Sequence, residues 1–233
     1  MDPYRKFWNE QQKALQEALS RSGNHQKAIE LFLSQHAMVH SVEMASSEMA
    51  PSTMDRSRSW SFEEEIWRDT SEEAIRRIPK NSEQSIAWIF WHIARIEDVT
   101  MNLLVAGNPQ LLNEGNWLER MKVEICETGN GLDAQGIEAL SASIDIVMLR
   151  AYRTAVGRRT REIVQQLHPD EMNQKVASSR LKQVVDEGVL ADTMLGLIDY
   201  WGSLKIAGLL LMPPTRHNFI HLNEALRLKH KRR

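Results

Sequence analysis

The chain has 233 residues, 42% of them apolar, and a net charge of −2. That is enough apolar material for a packed core and excludes a disordered chain, while the near-neutral balance excludes a global bias towards nucleic acid or anionic membrane. A single cysteine, Cys126, rules out an intramolecular disulfide and fits a reducing cytoplasm. The stretch from Met1 to Trp8 has no apolar signal-peptide run, and no segment has the length of a membrane span, so a soluble cytoplasmic protein is expected.

Helical spacing dominates, and alternating strand patterns are nearly absent. Residues 4–20 read as a polar amphipathic helix ending at Ser22 and Gly23, part of an N-terminal helical extension over 1–24. A second helix is predicted over 25–48, with Ile29, Phe32, Leu33, His36, Val39 and His40 on one side. Residues 46–59, rich in Ser and Met and containing Pro51, read as a loop. Short helices follow at 62–68 and 71–78, the second stopped by Pro79. Asn81 or Ser82 should then cap a long helix to about residue 106, closed by Gly107, Asn108 and Pro109. Residues 107–142 carry glycines at 107, 115, 129, 131 and 136 and read as an irregular connection with one or two short helices. Ser141 or Ser143 should cap a helix over 144–167, ended by His168 and Pro169. Residues 170–188 are irregular or briefly helical, and 189–212 mostly helical. Pro213 and Pro214 should interrupt, leaving Thr215 to cap a last helix to about 229. The economical reading is all-α: a four-helix bundle over 25–230, with irregular insertions.

Two stretches share the pattern H-x-x-x-H-x-x-E: His36, His40 and Glu43, and His217, His221 and Glu224. On a helix these positions lie on one stripe, so each stretch projects two imidazoles and a carboxylate together. His92 lies in a long apolar helix, on a face shared with Ser85, Trp88, Ile89, Ile96, Val99 and Leu103, with Arg95 at its margin. Glu97 and Asp98 fall on the far side. A buried imidazole needs hydrogen bonds or a metal for its nitrogens, and three convergent nitrogens with an open position suit a catalytic ion. The bland alternative is that each pair is a hydrogen-bonded core or surface feature.

Other chemistries fit less well. The Glu-x-x-His pattern of di-iron bundles is absent, as are the zincin motif and any glycine-rich phosphate loop. Cys126 lacks the cationic or Cys-x-x-Cys surroundings of a reactive thiol. The basic tail, residues 227–233, complements a helix C-terminus and does not by itself make a nucleic-acid surface. The tryptophans, Trp60, Trp67 and Trp117 among them, read as core or pocket wall.

The segment from Ser85 to Asp98, followed far downstream by Arg216 to Glu224, resembles the DinB-like (YfiT-type) metal-binding four-helix bundles. The resemblance implies an up-down-down-up bundle in which His92, His217 and His221 bind a divalent metal, zinc or nickel. For several branches it also implies thiol S-transfer with a low-molecular-weight thiol onto a small electrophile. On that reading His40, Glu43 or Glu224 would accept a proton or orient a ligand imidazole. The partners expected are a small-molecule substrate and neither nucleic acid nor membrane, with a homodimer allowed. The competing readings are a metal-dependent hydrolase and a non-catalytic, stress-related bundle whose histidines are structural. The 1–24 extension, the long 107–142 stretch and the His36/His40/Glu43 stripe depart from the compact family pattern.

Overall fold

The computed structural model describes residues 3–21, 23–41 and 60–231. In chain order the helices are α1 (Pro3–Ser20), α2 (His25–Val39), α3 (Phe62–Trp67), α4 (Glu72–Arg76), α5 (Ile86–Asp98), α6 (Trp117–Met121), α7 (Ala134–Ser143), α8 (Ile146–Gln166), α9 (Ser178–Asp186), α10 (Gly196–Ser203), α11 (Ile206–Leu211) and α12 (Asn218–His230). Two π-helical stretches, Val99–Ala106 and Met212–His217, extend α5 and lead into α12. Among the described residues the one β contact is an isolated bridge between Lys175 and Lys205, so the fold is an all-α bundle.

The bundle centres on α5, which packs against α8 and α12, while α2 touches α8 and α12. Every residue of α5 is buried. A helix that is hydrophobic nearly all round belongs inside a protein, enclosed on all sides. The side of α5 opposite His92 is therefore a second interior face, and Glu97 and Asp98 sit on it fully buried. Ser85 caps this helix, its Oγ accepting from Trp88 N, in place of the expected Asn81 or Ser82. Asp145 likewise caps α8, accepting from Met148 N, ahead of the expected Ser141 or Ser143. Both corrections have one physical cause: the residue that caps is the one still extended just before the turn begins, and several polar residues compete for that place.

The double proline does not break the last helix. Proline lacks an N–H, so the usual ladder cannot close there. The backbone widens into a π turn, and the hydroxyl of Thr215 donates to the carbonyls of Leu210 (3.0 Å) and Leu211 (2.8 Å). Thr215 is thus a mid-turn brace, where capping was expected, and the chain enters α12 without interruption.

The N-terminal helix lies against α2 and α11. Trp8 of α1 is buried and stacks on Phe219 of α12, ring centroids 4.5 Å apart. Among the described residues no helix is long and apolar enough to cross a membrane.

Candidate metal centre

His92, His217 and His221 meet at the junction of α5 and α12. Each offers a ring nitrogen within 4.8 Å of the others. His92 Nε2 and His217 Nε2 lie 3.1 Å apart, and the His221 ring stands edge-on to both. His217 ends the π turn and His221 follows one turn later in α12, so the widened backbone sets how the pair is presented.

The outer nitrogens explain which way the rings face. His92 Nδ1 lies 2.8 Å from the carbonyl of Thr128, which can only accept, so Nδ1 carries the proton and Nε2 turns a lone pair inward. His221 Nδ1 donates in the same way to Glu224 Oε2 at 2.6 Å. Metal-ligating histidines usually give their second ring N–H to such a carboxylate or carbonyl. His217 Nδ1 is buried with no partner among the described residues. Burial, with His221 next in effect, pushes the His92 imidazole down to about 4. Burial, then His92 and His221, drives His217 well below its ordinary range. The His92 and His217 rings are neutral at physiological pH. With the His92 lone pair inward, His217 Nε2–H donates to it. Moving that proton to the unpartnered His217 Nδ1 turns a second lone pair to an ion, and the donor set fits a first-row divalent metal. The hydrogen bond from His221 holds Glu224 below the usual carboxylate range.

The wall of the site comes from the long irregular connection. Along one face of α5, Trp88 Nε1 donates to Gly129 O (3.2 Å), His92 Nδ1 to Thr128 O (2.8 Å), and Arg95 Nη2 to Cys126 O (2.8 Å). The backbone of 126–129 is thus laid along the helix by three side chains in succession, and Thr128 N is tied to Val189 O on the other side. Trp88 stacks flat over His92, centroids 4.9 Å apart at 6°. The site approaches solvent at His221 and Glu224, whose side chains are 18% and 37% exposed.

The other histidine pair lies behind this site. The helix α2 stops at Val39, and His40 is already extended (φ −120°, ψ 165°), so the single helical stripe expected through His36 and His40 ends early. The rings still lie against each other, tilted by 30° with centroids 4.1 Å apart, and both reach Glu97. His36 Nε2 lies 2.8 Å from Oε1 and His40 Nε2 3.0 Å from Oε2. Asn218, next to the candidate ligand His217, donates from Nδ2 to Glu97 Oε2 at 2.6 Å. Burial works against Glu97's ionisation, yet His40 and His36 together hold it well below the usual carboxylate range. Burial outweighs the pull of Glu97 and lowers His36, and takes His40 to about 3. Glu43, the third member of the predicted stripe, lies outside the described residues.

Three functional positions escaped the sequence reading: the Thr128 carbonyl, Glu97 as the partner of His36 and His40, and Asn218. For the first, the available signal was Gly129 beside Gly131. Gly129 adopts φ +83°, and a Cβ there would lie 3.1 Å from Trp88 Nε1.

Comparison with known proteins places the chain. The sequence profile of the DinB superfamily matches residues 57–195, more than half of the chain, so the chain belongs to the DinB superfamily. Of the three converging histidines only His92 lies inside that match. No curated protein sequence matches the chain significantly.

Proposed function

We propose, taking DinB-superfamily membership as the premise, that this protein is a metal-dependent enzyme of the thiol S-transferase type, with His92, His217 and His221 holding zinc or a nickel-like divalent ion. The observation that carries the reading is the orientation of the rings: Thr128 O and Glu224 fix the Nδ1–H of His92 and His221, leaving Nε2 lone pairs towards a common point. Such an ion supplies Lewis acidity, stabilising the deprotonated form of a thiol brought to it. Glu224, the carboxylate at the solvent edge of the site, orients His221 and is placed to take up the thiol's proton. His40 acts from behind, through Glu97 and Asn218, on the placement of His217. Glu43 completes the proposed proton-handling set. Trp88, flat on His92, keeps water off the inner side of the site. The partners are a small electrophile and a low-molecular-weight thiol.

The test is a thiol-consumption assay on tag-free protein reconstituted with zinc or nickel, using a panel of small electrophiles and low-molecular-weight thiols. Metal-dependent thiol loss, abolished in His221→Ala, is the expected result. Metal-dependent hydrolysis without thiol loss would favour the hydrolase reading, and failure to retain any metal would overturn the enzyme reading.

A further inference from the structure

Among the described residues three carboxylates are fully buried: Glu63, Glu97 and Asp98. Glu63 is paired with Arg153 at 2.7 Å and Asp98 with Arg95 at 3.0 Å. Glu97 differs, since among the described residues its ion-pair contacts are the two imidazoles. Each imidazole reaches one of its carboxylate oxygens through Nε2, at 2.8 and 3.0 Å. Arg153 is nearby: its Nε and Nη2 donate to Glu63 Oε2 and the Val39 carbonyl, while Nη1 is buried with no hydrogen-bond partner among the described residues. Buried charges are as a rule paired with an opposite charge or coordinate a metal.

We propose that His36, His40 and Glu97 form a second divalent-metal site, distinct from the three-histidine centre and closed to solvent, with Asn218 as its fourth donor. The ligand atoms already converge: one atom from each of the three side chains lies within 4.8 Å of the others. Two imidazole nitrogens and a carboxylate oxygen are the donor set of many zinc and ferrous sites. The cluster has no exposed face, as His36, His40, Glu97 and Asn218 are each 0% exposed. A closed four-donor shell is the form of a structural site, while a catalytic one keeps a position open. Asn218 Oδ1 is buried without a partner among the described residues, and half a turn of the amide brings it to the place Nδ2 holds beside Glu97.

Loading the site requires no net loss of protons from the rings. An imidazole that donates from Nε2 to the carboxylate moves that proton to Nδ1, and the freed Nε2 lone pair points at the ion beside the carboxylate. Unlike His92 and His221, however, His36 and His40 have no partner for Nδ1 among the described residues. Absence of such an outer partner typically costs about 10–100-fold in affinity. The second ion is therefore the weaker of two.

The experiment is a zinc titration of tag-free, chelator-stripped, full-length protein against a chromophoric chelator, with bound metal per chain checked by elemental analysis. The variants are His221→Ala, Glu97→Gln, and His36→Phe, which keeps the ring stacked on Phe32 but offers no lone pair; circular dichroism confirms that each folds. Wild type should take up two zinc ions, the second about 10–100-fold more weakly. Glu97→Gln and His36→Phe should each lose the weak ion and still bind one at the three-histidine centre. Glu97→Gln should weaken that one by at most about 10–100-fold, because Glu97 holds Asn218 beside His217. His221→Ala should lose the tight ion and keep the weak one. A single ion kept by Glu97→Gln and His36→Phe would overturn the proposal and leave the cluster a hydrogen-bonded brace. A single ion lost in every variant would mean one shared site and would overturn it too. A single ion kept by His221→Ala but lost in Glu97→Gln would uphold this site and overturn the three-histidine one.

Discussion

At the scale of single residues, the three histidines differ in how they are held, and their substitutions should differ from the rest of the histidines. His92→Ala, His217→Ala and His221→Ala each remove a converging ring nitrogen and should abolish tight zinc binding, read by elemental analysis after gel filtration. His168, which is exposed, and His25, which lies on α2 away from both clusters, should be replaceable by Ala without loss. Retention of tight binding by His92→Ala would show that its inward nitrogen is not a ligand. Glu224→Ala tests a different role. Its carboxylate touches the back of His221 at 2.6 Å, so its loss should loosen the ring and weaken zinc affinity by about 10–100-fold without abolishing it. Competition titration would read that change. Total loss would make Glu224 a ligand in its own right, and no change would deny it even an orienting role.

At the scale of elements, the site depends on a segment with no regular structure. The 126–129 backbone delivers the Thr128 carbonyl only because Gly129 can take φ +83° against the Trp88 and Trp91 rings. Gly129→Ala would put a Cβ 3.2 Å from Trp91 Cδ1 in a left-handed backbone, at a cost of about 1–3 kcal/mol. In a chain of this size each kcal/mol lowers the Tm by about 2–4 °C. A melt should show that loss, and zinc affinity should fall with it because His92 loses its fixed Nδ1 partner. A lower Tm with unchanged affinity would separate the loop's packing from its influence on the site. The same segment shows where sequence reading stops. His92, His217 and His221 were legible because helical periodicity is local, and spacing alone states which side chains share a face. The Thr128 carbonyl was not, because every residue has a carbonyl and only the path of the chain decides which one meets a ring. Periodicity puts Glu97 on the face opposite His92, and it marks opposite faces but not whether both are covered. The π turn at Pro213 and Pro214 escaped because proline forbids one bond pattern without stating which replaces it.

At the scale of the whole molecule, the fold encloses imidazoles that must stay neutral, and this couples stability to pH. The ordinary histidine value is 6.5, while folding takes His92 to about 4 and His40 to about 3. Between those values and 6.5 the unfolded chain binds more protons than the native state, so stability is fully present above pH 6.5 and is lost as pH falls towards 4 and 3. The chelated protein should therefore melt progressively lower between pH 6.5 and 4, with little change from pH 7 to 8. Metal adds a second contribution of the same sign. An ion held by the native state alone stabilises it by mass action, and protons compete with the ion for the same lone pairs. Zinc-loaded protein should thus melt well above the chelated form at pH 8, and the gap should close as acid releases the ion. In His92→Ala the part of that gap owed to the three-histidine centre should vanish at every pH, because the nitrogen that α5 contributes is gone. Thermal melts of wild type and His92→Ala, with and without chelator from pH 5 to 8, decide the matter. Equal melting temperatures at pH 8, with zinc shown to be bound in one sample, would place the ion where it does not bridge α5 and α12. The coupling between those two helices would then rest on packing, and the histidines at their junction would need another role.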